Sequence, residues 1–249
     1  MNIKFHTNLN FIWIRDPSEA YKNPYEYLAQ EQFSRESFSI LVGFKKNLET
    51  YNRNFQIDER SLEKAIWMLH IDAVDTLLEC HDLISKKKHK VTGRLFRDTI
   101  EALDLAALFD TRTSSSNKLL NDWYEDKIIP NSRYRDYVKK NIGMEKAEQL
   151  TKFYSMLSKL NHRSYRTLAY GFIRGKDDKL VYDGFSDSNS LIFPGVISMY
   201  YCLLANLILI TSDEIVKRNL IDAAIIKKIW DENIEPEPEN RKYEITFKL

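Results

Sequence analysis

The sequence predicts a mainly α-helical protein, a bundle of six to eight helices with a small β accessory. Three observations lead there. The 249 residues include only seven glycines and six prolines, too few for a sandwich or barrel dense in turns. Leu, Ile, Lys and Glu abound, and these residues favour long helices. Most of the chain repeats its apolar residues at helical spacing, whereas strand-like runs are short and sit in the first 16 residues, near 172–184 and in the last few residues.

Taken in order, Ile3, Phe5, Leu9, Phe11, Ile12 and Ile14 partly alternate and predict a strand or extended arm. DPSEAYKNPYEYLAQ follows, with helix-start signals at Asp16 and Asn23, each before a proline. A helix is expected over about 31–50, ended by Asn52 to Asn54. The pattern over 59–87 is the clearest: Leu62, Ile66, Leu69, Ala73, Leu77, Cys80 and Ile84 form one stripe, with Asp72, Asp75 and Glu79 opposite. The basic run KKKHK (86–90) suits the negative end of that helix's dipole and leads into a connection.

The next helix is expected over 94–109, and TSSSN (113–117) supplies a loop and N-cap for KLLNDWYED. Pro130 restarts the chain, NSRYRDYVKKN gives a short helix ending near Gly143, and GMEKAEQLTKFYSMLSKLNH gives a longer one. FIRGKDDKLVYDGF reads as a hairpin around KDD. A long apolar helix over 191–219 and a last one in IDAAIIKKIWDEN complete the bundle. IEPEPENRKYEITFKL is a Pro-bearing linker with an alternating tail. No linker divides the chain, so residues 1–234 are read as one helical domain with an N-terminal arm, and 235–249 as linker and tail.

The bulk numbers restrict function. Lys plus Arg total 37 against 36 Asp plus Glu, a formal charge of +1, so no global basic field exists to hold a polyanion. Cys80 and Cys202 lie in helical segments and begin no CxxC pair, as expected of small core residues in a reducing cytoplasm. The N-terminus lacks the apolar stretch of a signal peptide, and the protein is expected to be cytoplasmic. Residues 193–210 are uncharged and long enough to approach a membrane span. Pro194, Gly195, Ser198 and Asn206 dilute them, so a central bundle helix is expected and no membrane partner.

Candidate chemistry is sparse. His70 and His81 share a flank of one helix, but eleven residues separate them by roughly 16 Å, too far for two ligands of one ion. His6, His89 and His162 complete no metal motif. GxGxxG, GxxxxGK[ST] and GxSxG are all absent, so no cofactor and no metal are expected. Arg94, Arg97, Glu101 and Asp104 follow one face of the 94–109 helix, with Phe96, Ile100, Leu103 and Ala107 opposite. As a solvated face they would add little, since an exposed Arg97–Glu101 pair is worth about 0.2–0.5 kcal/mol. In SMLSKLNHRSYRTL, continuing the Leu150, Phe153, Tyr154, Leu157, Leu160 stripe puts Asn161 in its middle and His162 about 100° to the side. Asn161 is then either a paired core amide or part of a composite site in which His162 works with Arg97, Glu101 and Arg94.

GRLFRDTIEALDLAALFD, followed about fifty residues later by FYSMLSKLNHRSYRTL, resembles the layout of HEPN-like bacterial helical proteins of toxin–antitoxin and abortive-infection systems. The resemblance spans roughly 59–215 and implies a helical bundle, often dimeric, with a role in phage defence. Active HEPN ribonucleases carry an Arg four to six residues before a His on one helix. Before His162 stand Ser155, Met156 and Leu157; before His70, Glu63, Lys64 and Ala65; before His81, Val74, Asp75 and Thr76. The nuclease motif is absent. The expectation is therefore a non-catalytic interaction or regulatory protein of a bacterial defence or stress system, with a protein partner or a second copy as its ligand. The alternative is an atypical HEPN-like ribonuclease or toxin acting on RNA through His162, Asn161, Arg97, Glu101 and Arg94.

Overall fold

In a computed structural model of the protein, residues 2–7, 11–50, 55–161, 172–174, 180–182, 194–235 and 243–248 are described. Eight α-helices stand among the described residues: α1 Glu26–Thr50, α2 Leu62–Ser85, α3 His89–Phe109, α4 Ser114–Tyr124, α5 Ser132–Asn141, α6 Met144–Asn161, α7 Pro194–Lys217 and α8 Ala223–Asn233. The protein is a mainly helical bundle.

Local chemistry sets the helix boundaries. Ser61 caps α2 by accepting the Lys64 N–H at 3.2 Å, and Thr113 and Ser116 cap α4 reciprocally. Three helices close with paired bonds that satisfy their last carbonyls: Lys88 N–H to Leu83 and Lys87 N–H to Ile84 end α2, and Lys127 to Asp122 with Asp126 to Trp123, and Leu220 to Ile215 with Asn219 to Val216, do the same for α4 and α7. The residue that turns left-handed in each is Lys87, Asp126 or Asn219 rather than glycine, which is how so few glycines suffice. Two boundaries differ from expectation. α1 begins at Glu26, five residues early, directly after the start signal at Asn23, whose Oδ1 accepts the Tyr25 N–H at 3.0 Å. α3 begins at His89, because the link after α2 is only three residues long.

α7 is the central element, packing against α1, α2 and α3. Tyr200, Leu204, Ala205, Leu207, Ile208 and Ile215 are all fully buried. Its length and composition would suffice to cross a membrane, yet most of its surface lies inside the bundle. The α2 stripe faces the same core, with Ala73, Leu77, Cys80 and Ile84 at zero exposure. Cys80 and Cys202 are free and buried; desolvation pushes the Cys202 thiol up to about 11 and that of Cys80 higher still.

The N-terminal segment holds a short strand and, beyond it, departs from an extended arm. Asn2–Thr7 is a strand, but from Phe11 the chain turns into the core: Ile12 and Trp13 are buried, and Pro17–Lys22 forms a 3-10 turn. Trp13 Nε1 donates to Glu36 at 2.7 Å, and its ring lies 4.6 Å from Phe33 and 5.0 Å from Trp230 on α8. Arg15 and Glu26 form an ion pair with side chains 1% and 4% exposed. Tyr21 packs on α7 at Gly195, where an added Cβ would come within 2.5 Å of its ring.

The strands make two separate two-stranded ribbons rather than one accessory. Asn2–Thr7 pairs antiparallel with Tyr243–Lys248 in the register Asn2↔Lys248, and Phe172–Arg174 with Leu180–Tyr182.

Candidate functional site

α3 and α6 run antiparallel. At one end Gly93 lets the helices touch: a Cβ there would meet the Leu160 Cβ at 2.9 Å. The end of α6 at Asn161 therefore lies beside the first turns of α3, next to Arg94. His162 lies outside the described residues, and of Asn161 only the backbone is described. Two turns further along α3, Tyr154 Oη donates to Glu101 Oε1 at 2.6 Å, and Arg97 Nε donates to the same oxygen at 2.7 Å. The Arg97 guanidinium stands 4.9 Å above the Tyr154 ring, and Arg135 of α5 stands 4.5 Å from that ring. The hydrogen bond from Arg97 to Glu101 raises the guanidinium pKa, while desolvation and then the bond to Glu101 raise the Tyr154 phenol.

The charged face expected on α3 is thus half-covered, and its members part ways. Arg97 and Glu101 form a closed triad with Tyr154. Arg94 is exposed and does not line the cleft beside them. Asp104, one turn past Glu101, sits at the back of that cleft, whose volume is about 240 Å³. Asp72 of α2 and Asp98 stand at its exposed rim, and Asn131 and Tyr134 cover it from the α5 side. Asn131 Nδ2 donates to Asp104 Oδ2 at 3.2 Å, and Arg135 Nη1 donates to Asn131 Oδ1 at 2.6 Å. Desolvation pushes the Asp104 carboxyl up to about 7, with Asn131 and Arg135 pulling the other way. It also raises Asp72 and Asp98, and lifts the Tyr134 phenol to about 12.

Sequence reasoning placed Asp104 on the right face but gave it no role, and it missed Asn131, Tyr134 and Arg135. The usable signal was an acid set between Leu103 and Leu105 in a helix ending LAALF, a polar position that something must cover. Tyr154, read as a core residue, is the hydroxyl partner of Glu101.

Among the described residues no group of three metal-ligating side chains comes together. His70 is wholly buried: its Nδ1–H donates to the Ile66 carbonyl at 2.8 Å, and desolvation drops its pKa to about 4. The Nε2–H of His81 donates to the Ser34 carbonyl at 2.9 Å, tying α2 to α1.

With the geometry in place, comparison with known protein families, with characterised proteins and with solved structures finds no match.

Proposed function

We propose that the chain is a non-catalytic interaction protein, a regulatory or scaffolding component of the defence or stress type that its HEPN-like resemblance implies. One observation carries this reading: Arg97, Glu101 and Tyr154 are bonded to one another beside a cleft lined by Asp72, Asp98 and Asp104. A nuclease needs cations facing the phosphate backbone and an acid or base free to move a proton. Here Arg97 is engaged by a carboxylate, and the adjoining cavity repels a polyanion. A protein partner or second copy would attach at the Asn2–Thr7/Tyr243–Lys248 ribbon. A lone two-stranded ribbon is marginal in water, and adding a strand to its edge is an established recognition mode.

The second reading, an atypical ribonuclease using His162 and Asn161 with Arg94, Arg97 and Glu101, draws support from the Gly93–Leu160 contact, which sets the end of α6 against the turn bearing Arg94. Expression in bacteria separates the two readings. Growth and total RNA are followed for wild type and for an Asn161→Ala, His162→Ala double variant, with folding of both checked by circular dichroism. The interaction reading expects no growth arrest, or equal arrest in both. Arrest with RNA loss in the wild type, abolished in the folded double variant, would overturn it.

A further inference from the structure

Four carboxylates share the cleft between α3 and α5: Asp72, Asp98, Glu101 and Asp104. Among the described residues only Glu101 has an ion-pair partner. Asp104 lies deepest and receives a single described hydrogen bond, from Asn131. That bond is also the only described hydrogen bond between α3 and the segment covering it. The nearest cation, Arg135, directs its guanidinium at Asn131 Oδ1 and the Tyr154 ring, not at Asp104. The groups acting on Asp104 are therefore Glu101 from its own helix, Asn131 and Arg135 from the covering segment, and Glu214 from α7 (itself ion-paired with Arg218); Tyr134 of α5 faces it, and Asp72 of α2 and Asp98 of α3 line the same cleft. Negative groups outnumber positive ones around a carboxyl that its surroundings desolvate.

We propose that the α3–α5 seam is a proton-sensitive latch, in which one proton held at Asp104 sets how tightly residues 125–141 close over the cleft. A protonated Asp104 keeps a carbonyl oxygen for the Asn131 amide and adds no charge beside Glu101 and Glu214. An ionised Asp104 gains from the Asn131 bond and from Arg135, but it places another negative charge beside Glu101 and Glu214 in a poorly solvated space, and that desolvation is the larger effect. The closed form thus prefers the neutral acid. Opening returns Asp104 to water and to its ordinary carboxylate range near 3.8. The folded value, about 7, is raised, so closure is strongest in acid, weakens as pH rises between those two values, and is at its loosest above about pH 7. In that window the closing constant falls by up to about tenfold per pH unit. The latch stands whether or not the interaction reading holds, because it invokes neither RNA nor a partner.

Two measurements on the full chain test it. The Asp104 carboxyl carbon is titrated by NMR, and amide exchange in α5 is followed from pH 5.5 to 7.5 after correction for intrinsic exchange, with α7 as the reference. The expected result is an Asp104 midpoint above 6 and α5 protection that falls through this range while that of α7 holds. In Asp104→Asn the protection of α5 becomes independent of pH. An Asp104 midpoint below 5, or α5 protection that stays flat in the wild type, overturns the proposal. If Asp104→Asn does not fold, the wild-type titration and exchange decide alone.

Discussion

His70 shows how one buried side chain can set the acid tolerance of the molecule. It is fully enclosed and held neutral by desolvation, with Nδ1–H committed to the Ile66 carbonyl. Its folded pKa, about 4, lies below the ordinary 6.5, so its unfolded form takes up a proton first as pH falls. The linked stability is fully present above 6.5 and is lost between 6.5 and 4, by roughly 3 kcal/mol at 1.36 kcal/mol per unit. Urea unfolding at pH 7.5 and 4.5 should show a stability change less favourable by about that amount in the wild type than in His70→Leu, the opposite contribution of Asp104 being common to both. Equal changes would assign acid sensitivity to other groups. Arg97 and Glu101, by contrast, are each about one-third exposed, and breaking their pair should cost only tenths of a kcal/mol.

At the level of elements, the left-handed residues that end helices offer a direct test. Lys87 holds φ at 59° to complete the bonds closing α2, a conformation that costs a side-chain-bearing residue about 1–2 kcal/mol. Lys87→Gly removes that strain and restores about 0.5–1 kcal/mol of unfolded-chain entropy. A gain of up to about 1 kcal/mol in thermal or denaturant unfolding is expected, and a loss would mean that the lysine side chain contributes more than its backbone costs. The same position shows what was legible in the sequence. The α2 stripe from Leu62 to Ile84 was readable because a 3.6-residue period is a property of the chain itself. The start of α3 was not, because KKKHK describes the charge at a helix end and says nothing about how soon the next helix begins. The cleft was half-legible: Arg97, Glu101 and Asp104 share a face by spacing alone. That α5 and Tyr154 cover this face is decided by packing between elements dozens of residues apart. Asn161 and His162, the most conspicuous dipeptide, were read from a stripe whose continuation beyond α6 falls outside the described residues.

At the scale of the whole molecule, the segment from Phe11 to Glu26 works as a strap. Trp13 reaches Glu36 on α1 and Trp230 on α8, Arg15 pairs with Glu26, and Tyr21 lies on α7 at Gly195. Glu36 also accepts the Glu235 N–H at 2.9 Å, so both ends of the helical bundle converge on one stretch of α1. Removing one member of a buried ion pair strands the other, at about 3–5 kcal/mol. Arg15→Met should therefore lower stability by an amount in that range, because Glu26 keeps only Asn23 and Ser198 as described partners. A change below 1 kcal/mol in urea unfolding would show that the strap is not tied down through Arg15.

The strap also brings two of the four tryptophans edge to face, with Trp13 and Trp230 at 5.0 Å and 72°. Indoles that close and that oblique to one another share their excited states. The seated strap should therefore carry its own optical signature: a paired circular-dichroism band in the far ultraviolet that vanishes when Trp230→Phe separates the chromophores. Strap release can then be timed in the unlabelled protein by stopped-flow, independently of helix unfolding.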